Sequence, residues 1–157
     1  MQQPAIGLLI SSFLLETLIY VFFCLTLTKA LNTVKVENRT VSPGQIWFFL
    51  IPGFNIFWLF FLVSRMASSL KNELIDRDYE VEENPGYNIG MTAAGISILI
   101  LLIYILEGIG IQNTTLTFIL GALAIMRLIF FIQYWMKIAW YRKVLETNAS
   151  ENTEEEE

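Results

Sequence analysis

The chain has 157 residues, of which 55% are hydrophobic and 16% are charged, and its formal net charge is -5. This composition is too apolar for a water-soluble domain and is typical of an integral membrane protein. A single cysteine, Cys24, excludes an internal disulfide, and without histidine the usual zinc, haem and iron–sulfur ligand sets are missing. We therefore expect no metal and no cofactor, and the lack of a basic stripe predicts no nucleic-acid binding.

The first predicted helix covers residues 5–28. The hydrocarbon core of a bilayer is about 30 Å thick and needs roughly 20 apolar residues, a length that this stretch provides. Lys29 marks the point at which the chain leaves the membrane. No basic residue precedes the apolar run, so we interpret it as an uncleaved anchor.

The next apolar stretch, residues 43–63, is interrupted at its midpoint. Ser42 suits a helix N-cap, while Pro43 and Gln45 occupy positions that favour a first turn and a capping box. The predicted turn of this broken helix consists of Pro52, Gly53 and Asn55. We expect the asparagine to cap a second half-helix, which continues as an amphipathic extension to about residue 78.

Two topologies fit the broken stretch, and the positive charges discriminate between them. If the stretch crosses the membrane, three basic residues lie outside and six inside; if it dips and returns, all nine lie on one side. These residues are Lys29, Lys35, Arg39, Arg65, Lys71, Arg77, Lys137, Arg142 and Lys143. The charges favour an all-α membrane protein of three transmembrane helices plus a re-entrant hairpin, with a cytoplasmic C-terminus. Four transmembrane helices with the second one kinked is the alternative.

The remaining predicted helices cover residues 89–106 and 115–145, so that residues 1–146 form a single membrane domain. Acidic residues at the end of the amphipathic extension and in the loop after it are interpreted as a solvated face, namely Glu73, Asp76, Asp78, Glu80, Glu82 and Glu83. Residues 147–157, rich in glutamate, asparagine and threonine, predict a disordered acidic tail.

The central stretch resembles a bacterial integral-membrane family, the domain of unknown function four-three-two-eight. Five positions carry the resemblance: Pro43, Gly44, Trp47, Pro52 and Asn55. The order of the elements extends it from about Leu18 to Leu145, most closely to short proteins of Bacteroidota-type bacteria. The resemblance implies this architecture and a bacterial inner membrane, and it implies no activity and no site.

Two charged residues within predicted membrane-spanning helices are the strongest candidate site residues. Glu16 lies near the middle of the first helix and Arg127 near the middle of the last, where either charge alone costs several kcal/mol. We expect an intramembrane ion pair that fixes helix register. A proton or ion pathway through Glu16, or pairing with another subunit, is the alternative.

Two further groups of residues are candidates. Backbone groups freed around the 52–55 turn can form a polar site at membrane depth, although a capped turn packed against other helices explains the same residues. The small residues Gly86, Gly90 and Ala94, spaced four apart, predict close helix packing within the chain.

No catalytic constellation is recognisable, since nothing in the sequence supplies a nucleophile with an adjacent base, and we do not expect an enzyme. The leading hypothesis is a non-enzymatic accessory or scaffold subunit of a bacterial inner-membrane complex, in contact with the lipid bilayer and with other membrane protein subunits. The alternative is a small oligomeric channel or transporter with a polar site near Glu16, Asn55 and Arg127.

Overall fold

The computed structural model describes residues 3–79, 84–111 and 113–154. Its five α-helices are α1 (Gln3–Asn32), α2 (Pro43–Ile46), α3 (Phe54–Asp76), α4 (Tyr87–Gly108) and α5 (Thr114–Glu154). Short 3-10 helices cover Val36–Asn38 and Trp47–Leu50. Every regular element in the described ranges is helical, which confirms the predicted all-α class.

Three helical stretches are long and apolar enough to cross a bilayer: Ile6–Asn32, Tyr87–Gly108 and Thr114–Thr147. They correspond to the three predicted transmembrane helices, each extended by a few residues. The chain is therefore a multi-pass membrane protein whose helices contact lipid. Helix α3 is not among them, because charged residues occupy its second half.

The chain folds back on itself between α2 and α3. The indole Nε1 of Trp58 donates to the carbonyl oxygen of Gln45 at 3.0 Å, and the backbone N–H of Thr40 donates to Ser69 Oγ at 2.9 Å. Residues 40 and 69 are 29 positions apart, which in one continuous helix is about 40 Å. The segment is thus an antiparallel hairpin, and the alternative of one kinked spanning helix is wrong.

The hairpin starts as predicted but turns differently. The backbone N–H of Ser42 donates to Gln45 Oε1 at 3.0 Å, as in a capping box. The N-cap of α3 is Gly53, with φ at 78°, a conformation that glycine adopts without steric cost. Asn55, expected to be the cap, lies in the first turn of α3, and its N–H donates to the Ile51 carbonyl at 3.0 Å.

The hydrophobic core occupies one half of the molecule. It lies around the C-terminal half of α1, the hairpin, and the part of α5 near residues 131–145. Its fully buried large members include Phe23, Leu27, Leu31, Ile46, Leu62, Met66, Leu70, Tyr134, Ile138 and Leu145. We name this side, which holds the open ends of the hairpin, the basic end, and the opposite side, at the α4–α5 connection, the far end. Towards the far end, the apolar side chains of α1 and α5 are largely exposed.

Helix α4 packs closely against α3 and α5 at Gly90. A Cβ atom at this position would lie 2.6 Å from Val63 Cγ2 and 2.9 Å from Tyr134 Cδ2, which is too close for any side chain. Ala94, one turn further on, is fully buried, and Gly86, with φ at 71°, is the N-cap of α4. The small residues therefore pack against helices of the same chain.

Helix α5 continues to Glu154, whereas the sequence predicted a disordered tail from residue 147. Neither proline nor glycine follows Gly121, so nothing in the sequence forces the helix to end at 146. The predicted tail residues 155–157, and the acidic residues Glu80, Glu82 and Glu83, lie outside the described residues.

Candidate functional site

Three side chains from α1 and α5 form a hydrogen-bonded polar triad. The hydroxyl of Tyr20 donates to Glu16 Oε1 at 2.5 Å, and the guanidinium NH2 of Arg127 donates to the Tyr20 hydroxyl at 2.8 Å. The sequence predicted a direct ion pair between Glu16 and Arg127. The structure instead places a phenol between the two charges, which keeps them within about 5.3 Å of each other.

The triad lies far from the ends of both membrane-spanning stretches. Ten residues, or about 15 Å, separate Glu16 from Ile6, and thirteen residues, or about 20 Å, separate Arg127 from Thr114. Glu16 is nevertheless exposed on the surface of the chain, while Tyr20 and Arg127 are half-buried. Exposure of a charge to hydrocarbon at this depth is costly.

The triad and the turn of the hairpin line one cavity of about 280 Å³, which we name the tip cavity. Its wall also includes Phe13, Thr17, Leu50, Pro52, Gly53, Asn55 and Ile56. The structure thus brings together the two intramembrane charges and the three residues of the predicted broken-helix turn, which the sequence had identified separately.

The tip cavity lies where the turn of the hairpin, residues 50–56, faces α1 and α5. Phe49, just before the turn, packs edge-on against Tyr20 with ring centroids 5.0 Å apart and lies 5.3 Å from the ring of Phe23. The hairpin therefore fills the space beside α1 up to the level of the triad. Beyond that level the turn forms the floor of an open space.

A second cavity of about 320 Å³ lies on α1 and α5, and no hairpin residue lines it. Apart from the triad, this outer groove is lined by Ser12, Leu15, Ile19, Ala124, Leu128 and Phe131. Leu15 and Leu128 are 60% and 56% exposed, so the groove faces the surrounding membrane. The triad separates an outward apolar groove from the tip cavity.

A second polar centre, at the basic end, was missed by the sequence analysis. Glu73, predicted to be solvated, is 0% exposed. Its Oε2 accepts hydrogen bonds from the Lys35 N–H at 2.8 Å and the Asn38 amide at 2.9 Å, and its Oε1 accepts from Arg77 Nε at 2.8 Å. The prediction of a solvated face is wrong for Glu73, because three donors compensate its burial.

These contacts determine the charge state of Glu73. Burial removes water from the carboxylate and by itself raises its pKa, but the hydrogen bonds from Asn38, Lys35 and Arg77 outweigh this effect and lower the pKa below its ordinary value. Glu73 on α3 and Arg77, the C-cap of that helix, are four positions apart with the acid first, which is a recognisable helical ion-pair spacing. That spacing is the signal in the sequence from which this centre could have been found.

Arg77 also joins the ends of the other helices. Its guanidinium donates to the carbonyl oxygen of Thr33, after α1, at 3.1 Å and to that of Leu145, in α5, at 3.0 Å. The C-terminal ends of α1 and α3 and residue 145 of α5 therefore lie at one level. This convergence places the basic segments that flank α1, the hairpin and α5 at the same end of the molecule.

Within the described ranges, no three Cys, Asp or Glu side chains are placed to share a metal ion. Comparison of the chain with family models, curated proteins and solved structures finds no match. The resemblance to the domain of unknown function four-three-two-eight therefore stays a prediction, and function has to be argued from the site itself.

Proposed function

We propose that this protein is a non-enzymatic accessory or scaffold subunit of a bacterial inner-membrane complex, and that it binds its partner within the membrane through the outer groove. The observation that carries the proposal is the exposure of Glu16 at mid-membrane depth. Lipid chains offer no hydrogen bond to a carboxylate, whereas a helix of another membrane protein can supply one.

The form of the outer groove supports this proposal. It combines apolar walls from α1 and α5 with a polar floor, and apolar packing plus a few interhelical hydrogen bonds is what associates helices in membranes. The exposed leucines on either side of the triad supply the packing surface. Glu16 and Arg127 supply polar contacts that a partner must match, which gives specificity.

Photo-crosslinking in native membranes tests the proposal. A photoreactive residue at Leu15 or Leu128 is expected to form an adduct with a discrete membrane protein, and Glu16→Gln is expected to reduce that adduct several-fold. Leu102, which is 50% exposed on α4, is the control position outside the groove. Lipid adducts alone at all three positions would contradict the proposal.

A small oligomeric channel or transporter is the second candidate, and the tip cavity favours it. Glu16, Asn55 and Arg127 line that one cavity, in which a hairpin turn meets charged residues at membrane depth, an arrangement that membrane proteins use to contact ions and solutes. Flux of ions or small solutes into proteoliposomes is expected to fall at least tenfold in Glu16→Gln and to be unchanged in Glu37→Gln, which alters an exposed residue of the 3-10 helix Val36–Asn38. Flux no greater than in empty liposomes would remove this candidate.

A further inference from the structure

We propose that the tip cavity binds a small zwitterionic solute, whose cationic group contacts Glu16 and whose anionic group contacts Arg127. The proposal deepens the second candidate function by naming a solute class for the same cavity. It concerns binding alone, however, and does not require transport. It rests on the placement of two opposite charges, their remaining hydrogen-bonding capacity, and the size and lining of the cavity.

The triad leaves hydrogen-bonding capacity on both charges. Among the described residues, the Arg127 guanidinium, which carries five N–H donors, makes one hydrogen bond, to Tyr20. Glu16 accepts from Tyr20 through Oε1, so its second oxygen stays available. At membrane depth such unsatisfied donors and acceptors are expensive, and a bound solute with both a donor and an acceptor relieves the cost.

The spacing of the charges favours a solute of both signs. A simple anion at Arg127 would lie close to the Glu16 carboxylate, and a simple cation at Glu16 would lie close to the guanidinium, because the two groups are within about 5.3 Å. Such like-charge contacts are strongly unfavourable away from bulk water. A zwitterion places each of its charges beside the opposite one, so that its second charge offsets the repulsion that a single ion would meet.

The cavity limits the size and shape of the solute. Its volume of about 280 Å³ lies just below the range of roughly 300–1,000 Å³ typical of sites for drug-sized ligands. Phe13, Leu50 and Ile56 provide apolar walls that suit a short methylene segment between the charges. Asn55 adds a carboxamide, which offers both a donor and an acceptor.

Calorimetric titration of the purified full-length chain in lipid nanodiscs tests the proposal. The probes are glycine, β-alanine and γ-aminobutyrate, which differ in the distance between ammonium and carboxylate. Methylammonium and acetate are the single-charge controls. We expect saturable binding of at least one zwitterion and at least tenfold weaker binding of both controls.

Variants assign the binding to the cavity. Glu16→Gln and Arg127→Gln are each expected to weaken zwitterion binding at least tenfold, whereas Leu102→Ala, on the surface of α4, is expected to leave it unchanged. Circular dichroism and size-exclusion elution verify that each variant is folded. Should either charge variant fail to fold, a bulky substitution in the cavity wall, Thr17→Leu, must abolish binding in its place.

Three results would overturn the proposal: no binding of any zwitterion by the folded wild-type chain, equal binding of the single-charge controls, or binding that survives both charge variants. Zwitterion binding without flux would support the proposal and remove the transport candidate. Glu16 lines both cavities, but the crosslinking experiment uses no solute and reads contacts at Leu15 and Leu128 in the outer groove, so its failure is distinguishable from a failure of the titration.

Discussion

One buried carboxylate, Glu73, connects several segments of the basic end. It holds the loop after α1 through the Lys35 N–H and Asn38, and it orients Arg77, which in turn binds the carbonyl oxygens of Thr33 and Leu145. A group of this kind stabilises the fold mainly because every polar atom around it has a partner. Removing one partner leaves the others buried and unpaired.

Glu73→Gln is therefore expected to be strongly destabilising. The amide keeps the shape of the side chain but loses the charge and cannot accept all three hydrogen bonds, at a cost of about 3 kcal/mol. Chemical denaturation in micelles measures the change in the free energy of unfolding. Asp76→Asn is the matched control: its salt bridge with Lys35 is solvent-exposed, so little change is expected. Equal stability of both variants and wild type would refute the role assigned to Glu73.

The lowered pKa of Glu73 predicts how stability depends on pH. Its pKa in the folded protein lies below the value of about 4.3 expected in the unfolded chain. The stabilisation is therefore fully present above about pH 4.3 and is lost as the pH falls through the folded-state pKa. We expect wild type to lose more stability than Glu73→Gln between neutral and acidic pH. Parallel pH profiles in thermal melts would contradict this expectation.

Among the helices, the contact of α4 with α3 and α5 depends on the absence of a side chain at Gly90. In Gly90→Ala the new methyl group would overlap Val63 and Tyr134, so α4 has to move away, at a cost of about 1–3 kcal/mol. Gly95→Ala on the same helix is the control, since no atom lies within 4 Å of a Cβ there, and its higher helix propensity should leave stability unchanged or slightly increased. Denaturation of the two variants side by side measures the difference. A Gly90→Ala variant as stable as Gly95→Ala would show that α4 packs loosely.

The hairpin shows which features of an element can be predicted from sequence. Pro52 and Gly53 signalled the turn, and the distribution of basic residues favoured a return to the same side over a crossing. The 3-10 geometry of Trp47–Leu50 and the capping role of Gly53 were not predicted. Both depend on how Trp58, on the returning helix α3, packs against the first arm of the hairpin at Gln45, a contact between residues that the local pattern does not connect.

Only part of the candidate site could be predicted from the sequence, because some of its contacts join residues that are far apart in the chain. Glu16 and Arg127 attract attention because a charge within a spanning helix is rare and costly. Tyr20 does not, because its type alone does not name the partner of its hydroxyl, and an aromatic side chain in an apolar helix is explained by packing or by anchoring at the membrane interface. Its bridging role requires a partner 107 positions away, which only the folded chain brings into reach. The buried state of Glu73 was hidden likewise, since two of its three donors, Lys35 and Asn38, come from the loop after α1.

At the scale of the whole molecule, the hairpin determines on which side of the membrane each segment lies. Because the chain enters and leaves the hairpin at the same level, the nine basic residues outside the triad flank one end of the molecule. Basic segments are retained in the cytoplasm, so we expect that end to be cytoplasmic and the α4–α5 connection to face outward.

Cysteine labelling in intact cells tests this topology. Single cysteines at Lys35, Lys71 and Ile109 are introduced into a Cys24→Ala background, which removes the one native thiol. A membrane-impermeant thiol reagent is expected to label position 109, which is 69% exposed at the far end, and to label positions 35 and 71 only after the cells are permeabilised. Labelling of 35 and 71 from opposite sides would show that the hairpin crosses the membrane. Labelling of both positions from outside would be consistent with the hairpin but would show that the basic end faces outward, contrary to the positive-inside rule.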